Sequence, residues 1–152
     1  MIAVTAADLG IDINEPDGNG LFKWLLASFL IGKRIRTSVA VKAFHQLVDQ
    51  EEVGAPEQLA KCSHTQFVRW LSEAGYARYD VSTARRLRVL GQRVSEELQP
   101  QLRALCTGVH RVADFERWLL SFEGVGPKTV EIFMREAAET LTDASGNLLK
   151  PS

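Results

Sequence analysis

Apolar residues recur at α-helical spacing along almost the whole chain, and no strand-like alternation runs for more than a few residues. For a chain of 152 residues this pattern predicts an all-α fold, a compact multi-helix bundle around one core. Leu21, Phe22, Trp24, Leu25, Leu26, Phe29 and Leu30 form a broad helical stripe that stops near Gly32. Val39, Ala40, Ala43, Phe44, Leu47 and Val48 continue at helical spacing, with Thr37 or Ser38 as the cap. Pro56 suits the first turn of a short helix that includes Leu59. Ser63-His64-Thr65-Gln66 has the capping-box form and opens a helix carrying Phe67, Val68, Trp70 and Leu71. Gly75 fits its left-handed stop. Asp80 or Ser82 caps the next helix, with Ala84, Leu87, Val89, Leu90 and Val94 on it. Pro100 interrupts near its end, leaving a short helix over 101–107. Asp114 precedes Phe115, Trp118, Leu119 and Leu120, and Pro127 starts a final helix with Val130, Ile132, Phe133, Met134 and Ala137. The expected organisation is a loose N-terminal arm over 1–18, a helical domain over 19–141 and a fraying tail over 142–152.

Net charge is −1, so bulk charge does not advertise a nucleic-acid partner, but its distribution is uneven. Between Gly18 and Val48 there are five cations and no acid; between Lys61 and Arg93 there are seven cations against Glu73 and Asp80. Acids gather at residues 8–17, at 49–57 and after 112. Such segregation builds a basic face on a nearly neutral molecule, unless the segments face different ways. Two cysteines, Cys62 and Cys106, give no zinc spacing, no disulfide framework and too few thiolates for an iron–sulfur cluster. His45, His64 and His110 share no ligand spacing, so neither metal nor cofactor is expected. The start of the chain lacks a basic segment followed by a long apolar run, and Leu21–Ile31 carries Lys23 and is too short to span a bilayer. The expectation is a reduced, cytoplasmic protein with no membrane partner.

The segment Ser121-Phe122-Glu123-Gly124-Val125-Gly126-Pro127-Lys128-Thr129-Val130 lies between two apolar helical patterns. Glycine permits the positive φ and close approach of a sharp reversal, Val125 can pin the turn to the core, and Pro127 loses nothing at a first helical position. The N–H groups around Gly126, Lys128 and Thr129 would then point out of a helix N-terminus, a ready anion site. Lys128 adds a cation there and Thr129 a hydroxyl. A tight helix connection without a ligand is the plainer alternative.

Amphipathic helix, Gly-Val-Gly loop, then Pro-Lys-Thr opening a second helix resembles the helix-hairpin-helix motif, which grips one DNA strand through backbone amides. Leu25-Leu26-Ala27-Ser28-Phe29-Leu30-Ile31-Gly32-Lys33 with the following Ser38–Ala43 helix is similar to the opening of the endonuclease III class of DNA glycosylases. Trp70-Leu71-Ser72-Glu73-Ala74-Gly75-Tyr76 resembles that class's glycine-then-wedge segment. The resemblance covers roughly 20–140 and is to the helix-hairpin-helix base-excision DNA repair superfamily, shortened and without the C-terminal iron–sulfur region. It implies DNA as partner and DNA-backbone contacts at Gly124, Val125, Gly126, Lys128 and Thr129. It places Lys33 where relatives fill the gap left by an extruded base, and Tyr76 where a wedge residue stacks beside a base. Arg78, Arg85 and Arg86 are further backbone candidates.

Lys128 occupies the position of the family's lysine nucleophile, which attacks sugar C1′ and forms a Schiff base; the alternative is that it only neutralises a phosphate. The family's catalytic aspartate follows the hairpin's second helix, and Asp143 is the one candidate there. Its flanks depart from the family's valine-aspartate pattern, so a solvated tail residue is expected rather than a catalyst. The resemblance also implies that the sequence holds mainly one of the family's two lobes, so a base pocket would need a protein partner or a second copy of the chain. Three readings stay open: a DNA-binding protein of base-excision repair type without full glycosylase activity, a small glycosylase or abasic-site lyase using Lys128, and an all-α interaction module whose hairpin is purely structural.

Overall fold

A computed structural model of the chain describes residues 4–15, 18–33, 35–76 and 79–146, with the side chains of 142–146 outside the description. Among these residues the fold is all-α, with seven α-helices and no strand: α1 (Asn19–Ile31), α2 (Thr37–His45), α3 (Pro56–Lys61), α4 (His64–Glu73), α5 (Asp80–Cys106), α6 (Val112–Leu120) and α7 (Pro127–Gly146).

Helix α1 has almost no polar face. Every residue from Leu21 to Leu30 except Lys23 is buried, and α2 and α7 pack against it. A helix apolar nearly all round has to lie inside. The Trp24 indole N–H donates to the Phe133 carbonyl at 3.0 Å, tying α1 to α7. Helices α3 and α4 cover α5, and α6 packs on α7. The α3–α5 contact needs Gly91, where a Cβ would come within 2.7 Å of the Ala60 nitrogen.

Several local signals act as expected. Ser63 Oγ accepts from the Gln66 N–H at 3.1 Å, and the Ser63 N–H donates to Gln66 Oε1 at 2.8 Å. Gly75 ends α4 with φ +92. Pro56 opens α3, where Gln58 Oε1 accepts from the Gly54 and Ala55 N–H groups at 2.8 and 3.0 Å. Helix α2 differs: Arg36 precedes it in extended conformation, Thr37 is already helical, and no side chain caps it. A wider π turn over Gln46–Gln50 continues it.

Two larger expectations are corrected. Pro100 does not end a helix, because α5 runs unbroken from Asp80 to Cys106. Proline removes one bond to the carbonyl four residues back, here that of Glu96. Glu96 and Pro100 are both exposed, so water can take that acceptor, while Val94, Leu98 and Leu105 hold the helix to the core. Within the expected N-terminal arm, the described residues 4–15 are not loose. A 3-10 turn at Ala7–Leu9 leads into chain that buries Ala6, Leu9, Ile11 and Ile13. The Ala6 N–H donates to Glu136 Oε1 at 2.9 Å, and Thr140 Oγ1 donates to Asn14 Oδ1 at 2.8 Å, so the segment is laced to α7. Beyond Leu141, α7 continues to Gly146.

Because the missing bond lies on the solvent face, Pro100→Ala should raise stability by about 1–3 kcal/mol, the helix-interior cost of proline less its benefit in the unfolded chain. Urea denaturation checks this; a lowered midpoint would contradict an unbroken α5.

Candidate functional site

The reversal between α6 and α7 is built around Gly124. Its φ of +87 is the left-handed turn the sequence asked for. A Cβ there would also press on Arg86 Cδ at 2.8 Å and Phe29 Cε1 at 3.0 Å. Val125 is buried, and its N–H donates to the Phe122 carbonyl at 3.1 Å, so the turn is pinned as expected. Gly126 is different: its φ is not positive, and an added Cβ would meet nothing within 4 Å. Backbone freedom is therefore used at the first glycine only, while the second leaves open space beside the chain. The first intrahelical bond of α7 runs from the Val130 N–H to the Gly126 carbonyl at 3.1 Å. The Lys128 and Thr129 N–H groups precede it, at the positive end of the helix dipole. Lys128 is exposed beside them.

Helices α1 and α5 brace this loop from below. Lys33 follows the end of α1, and its Nζ donates to the Gly124 carbonyl at 2.5 Å and lies 4.5 Å from the Phe29 ring centroid. Burial, and secondarily the nearby Arg86 charge, lower the Lys33 amine to about 8. Glu123 accepts from Arg85 at 3.0 Å and from Arg86 Nε at 3.4 Å. Those bonds, Arg85 first, hold its carboxyl below the usual carboxylate range. Arg93 stacks over the Phe122 ring with Cζ 3.9 Å from the centroid and bonds both oxygens of Glu97 and the Ser121 hydroxyl. Glu97 also accepts from the Trp118 indole at 2.9 Å.

The fold thus brings Lys33, Gly124, Val125, Gly126 and Lys128 to one end of the molecule. Others fall elsewhere. Tyr76 does not present its ring as a wedge: it is fully buried and its hydroxyl donates to the Leu30 carbonyl at 2.9 Å. Burial raises its phenol above the usual value, against a hydrogen bond with the Thr83 side chain that lowers it. The Thr129 side chain is buried against Gly32, turned away from solvent and from any phosphate at the loop. Asp143 lies in the last turns of α7, not in a loop beyond it. Fifteen residues of helix separate it from Lys128, about 22 Å along the axis, too far for the two to act together. Arg78 lies outside the described residues.

Sequence reasoning missed two features. A cleft of about 420 Å³ is lined by Ala60, His64, Arg85, Arg88, Val89 and Gln92, and its Arg85 also donates to Glu123 of the hairpin. A smaller cavity of about 190 Å³ lies where Lys33 and Arg86 meet Tyr79, Ser82 and Thr83. The run of arginines in α5 was the available signal for both. Among the described residues, no helix is long and apolar enough to cross a membrane.

The two glycines should separate cleanly by substitution. Gly124→Ala should cost roughly 1–3 kcal/mol from left-handed strain and crowding. Gly126→Ala should stay within about 0.5 kcal/mol. Chemical denaturation of both variants is the check, and equal losses would contradict the division of roles. The chain matches no protein-family model, no curated protein and no solved structure.

Proposed function

We propose that this chain is a DNA-binding protein of base-excision repair type, gripping the DNA backbone through a helix-hairpin-helix motif without full glycosylase activity. The Gly126 edge of the hairpin carries the reading: space is open beside its backbone, two N–H groups precede the first bond of α7, and Lys128 stands exposed. A phosphate oxygen meeting that edge would receive backbone donors at a helix N-terminus together with a lysine charge. Contacts of this kind fix a protein on a duplex without reading its sequence. The cleft with Arg88, and with Arg85 where Glu123 yields it, offers cations for further phosphates.

The enzymatic alternative is a small DNA glycosylase or abasic-site lyase with Lys128 as nucleophile. The position of Asp143, about 22 Å along α7 from Lys128, favours the binding reading, because a carboxylate contributes to such chemistry only when held at the reacting centre. In the binding reading, a protein partner or a second copy of the chain takes part wherever base chemistry is needed.

Fluorescence anisotropy with labelled duplexes across a salt series tests the proposal. Lys128→Ala should weaken every sequence alike and reduce the slope of log K against log salt by about one. Gly126→Ala should weaken binding while leaving stability unchanged, because its methyl group would stand where the phosphate approaches. Unaltered affinity and slope in both variants would remove the hairpin as a DNA grip.

A further inference from the structure

Six lysines are spread along the chain, and Lys33 is held unlike an ordinary surface lysine. Its amine is drawn back against the Phe29 ring and donates to the Gly124 carbonyl. It lines a cavity of about 190 Å³ whose other walls, among the described residues, are Tyr79, Ser82, Thr83 and Arg86. That set contains two cations and three hydroxyls and no carboxylate. The Glu123 carboxylate reaches Arg86 through Nε and pairs with Arg85 as well, so it sits beside this cavity without being part of its wall. The volume is about six times a water molecule's share of liquid and below that of a drug-sized pocket, so it suits a compound of a few carbons.

We propose that Lys33 is a reactive amine that forms a Schiff base with an aldehyde carrying a phosphate, the carbonyl seated in the Lys33–Ser82–Thr83 cavity and the phosphate taken by Arg86. The Gly124 carbonyl accepts one N–H and fixes the amine at the mouth of the cavity. The lone pair of the neutral amine adds to the carbonyl carbon, and the C=O π electrons move to oxygen. One proton passes from nitrogen to that oxygen, giving a carbinolamine. A second proton, from solvent, lets the oxygen leave as water while the carbon–nitrogen double bond forms. With an amine at about 8, roughly a quarter is neutral at pH 7.5, against about one part in a thousand for a lysine at 10.5. Lower basicity offsets part of that gain and leaves about a tenfold advantage in rate over an ordinary lysine. Two sources carry this pair of groups, a free sugar phosphate and the opened sugar of an abasic site in DNA.

Borohydride trapping with peptide mapping tests this on the intact chain. The probes are glyceraldehyde 3-phosphate, glyceraldehyde, and a duplex with one abasic site. Borohydride delivers hydride to the imine and leaves a stable secondary amine whose position mass spectrometry reads. Glyceraldehyde 3-phosphate should label Lys33 about tenfold faster than any of the other five lysines. The label should vanish in Lys33→Arg, persist in Lys128→Arg, and lose its preference for the phosphorylated probe in Arg86→Gln. Labelling of Lys33 by the duplex as well assigns the DNA source, and labelling by the small probe alone assigns a free sugar phosphate. Labelling spread evenly over the lysines, or centred on Lys128, overturns the proposal, and because mapping is done on the wild-type chain this holds even if a variant misfolds. The small probe needs no DNA contact. Lost DNA affinity with intact Lys33 labelling therefore removes only the DNA-binding reading, and DNA binding without Lys33 labelling removes only this one.

Discussion

Burial of α1 is the constraint on which the rest of the molecule depends. Phe22, Trp24, Leu26, Phe29 and Leu30 are wholly covered, each contributing on the order of 1.5–3 kcal/mol relative to exposure. A helix that must be covered on all sides dictates where its neighbours go. The Trp24 and Leu30 levels are fixed by hydrogen bonds from the indole to Phe133 and from Tyr76 to Leu30. At its C-terminal end, Gly32 lies so close to Thr129 that no side chain fits between them. The hairpin is therefore seated on the end of α1, and Lys33, the next residue, has to meet it.

Much of this was legible because the signals are local. The Ser63–Gln66 box, the left-handed Gly75 and the proline at the start of α3 each depend on chemistry within one turn of chain. The Gly124 reversal is of the same kind. What could not be read depends on distant partners. Pro100 looks like a break until Val94, Leu98 and Leu105 are known to face one core, and residues 4–15 look loose until Glu136 and Thr140 are known to meet them. Tyr76 and Thr129 carry polar groups that suit a site, but the fold spends them inside, where one bonds a carbonyl and the other packs on glycine.

The candidate site shows the same division. The sequence picked out the hairpin and Lys33 separately, as two contacts with one partner. It could not reveal that one touches the other, since 91 residues separate Lys33 from the Gly124 carbonyl it bonds. Nor could it tell the two glycines apart. One is required by the backbone's own geometry and the other leaves a gap in the surface. The charge pattern gave the arginines of α5 but not their occupations: Arg93 is absorbed in bracing, Arg85 and Arg86 divide themselves between Glu123 and solvent-facing cavities.

The clasp that Arg93 makes on Phe122, Ser121 and Glu97 has a consequence for how the loop meets a ligand. An exposed cation–π contact and a surface ion pair contribute up to about 1 kcal/mol each, small beside the core. Their value lies elsewhere, because they join the residues that follow α6 to the long α5, while Lys33 joins the same loop to the end of α1. The reversal is thus gripped from two directions before anything arrives. On the DNA-binding reading, a partner docking there has little loop entropy to remove, so association should be governed by collision and charge rather than by waiting for a shape to form.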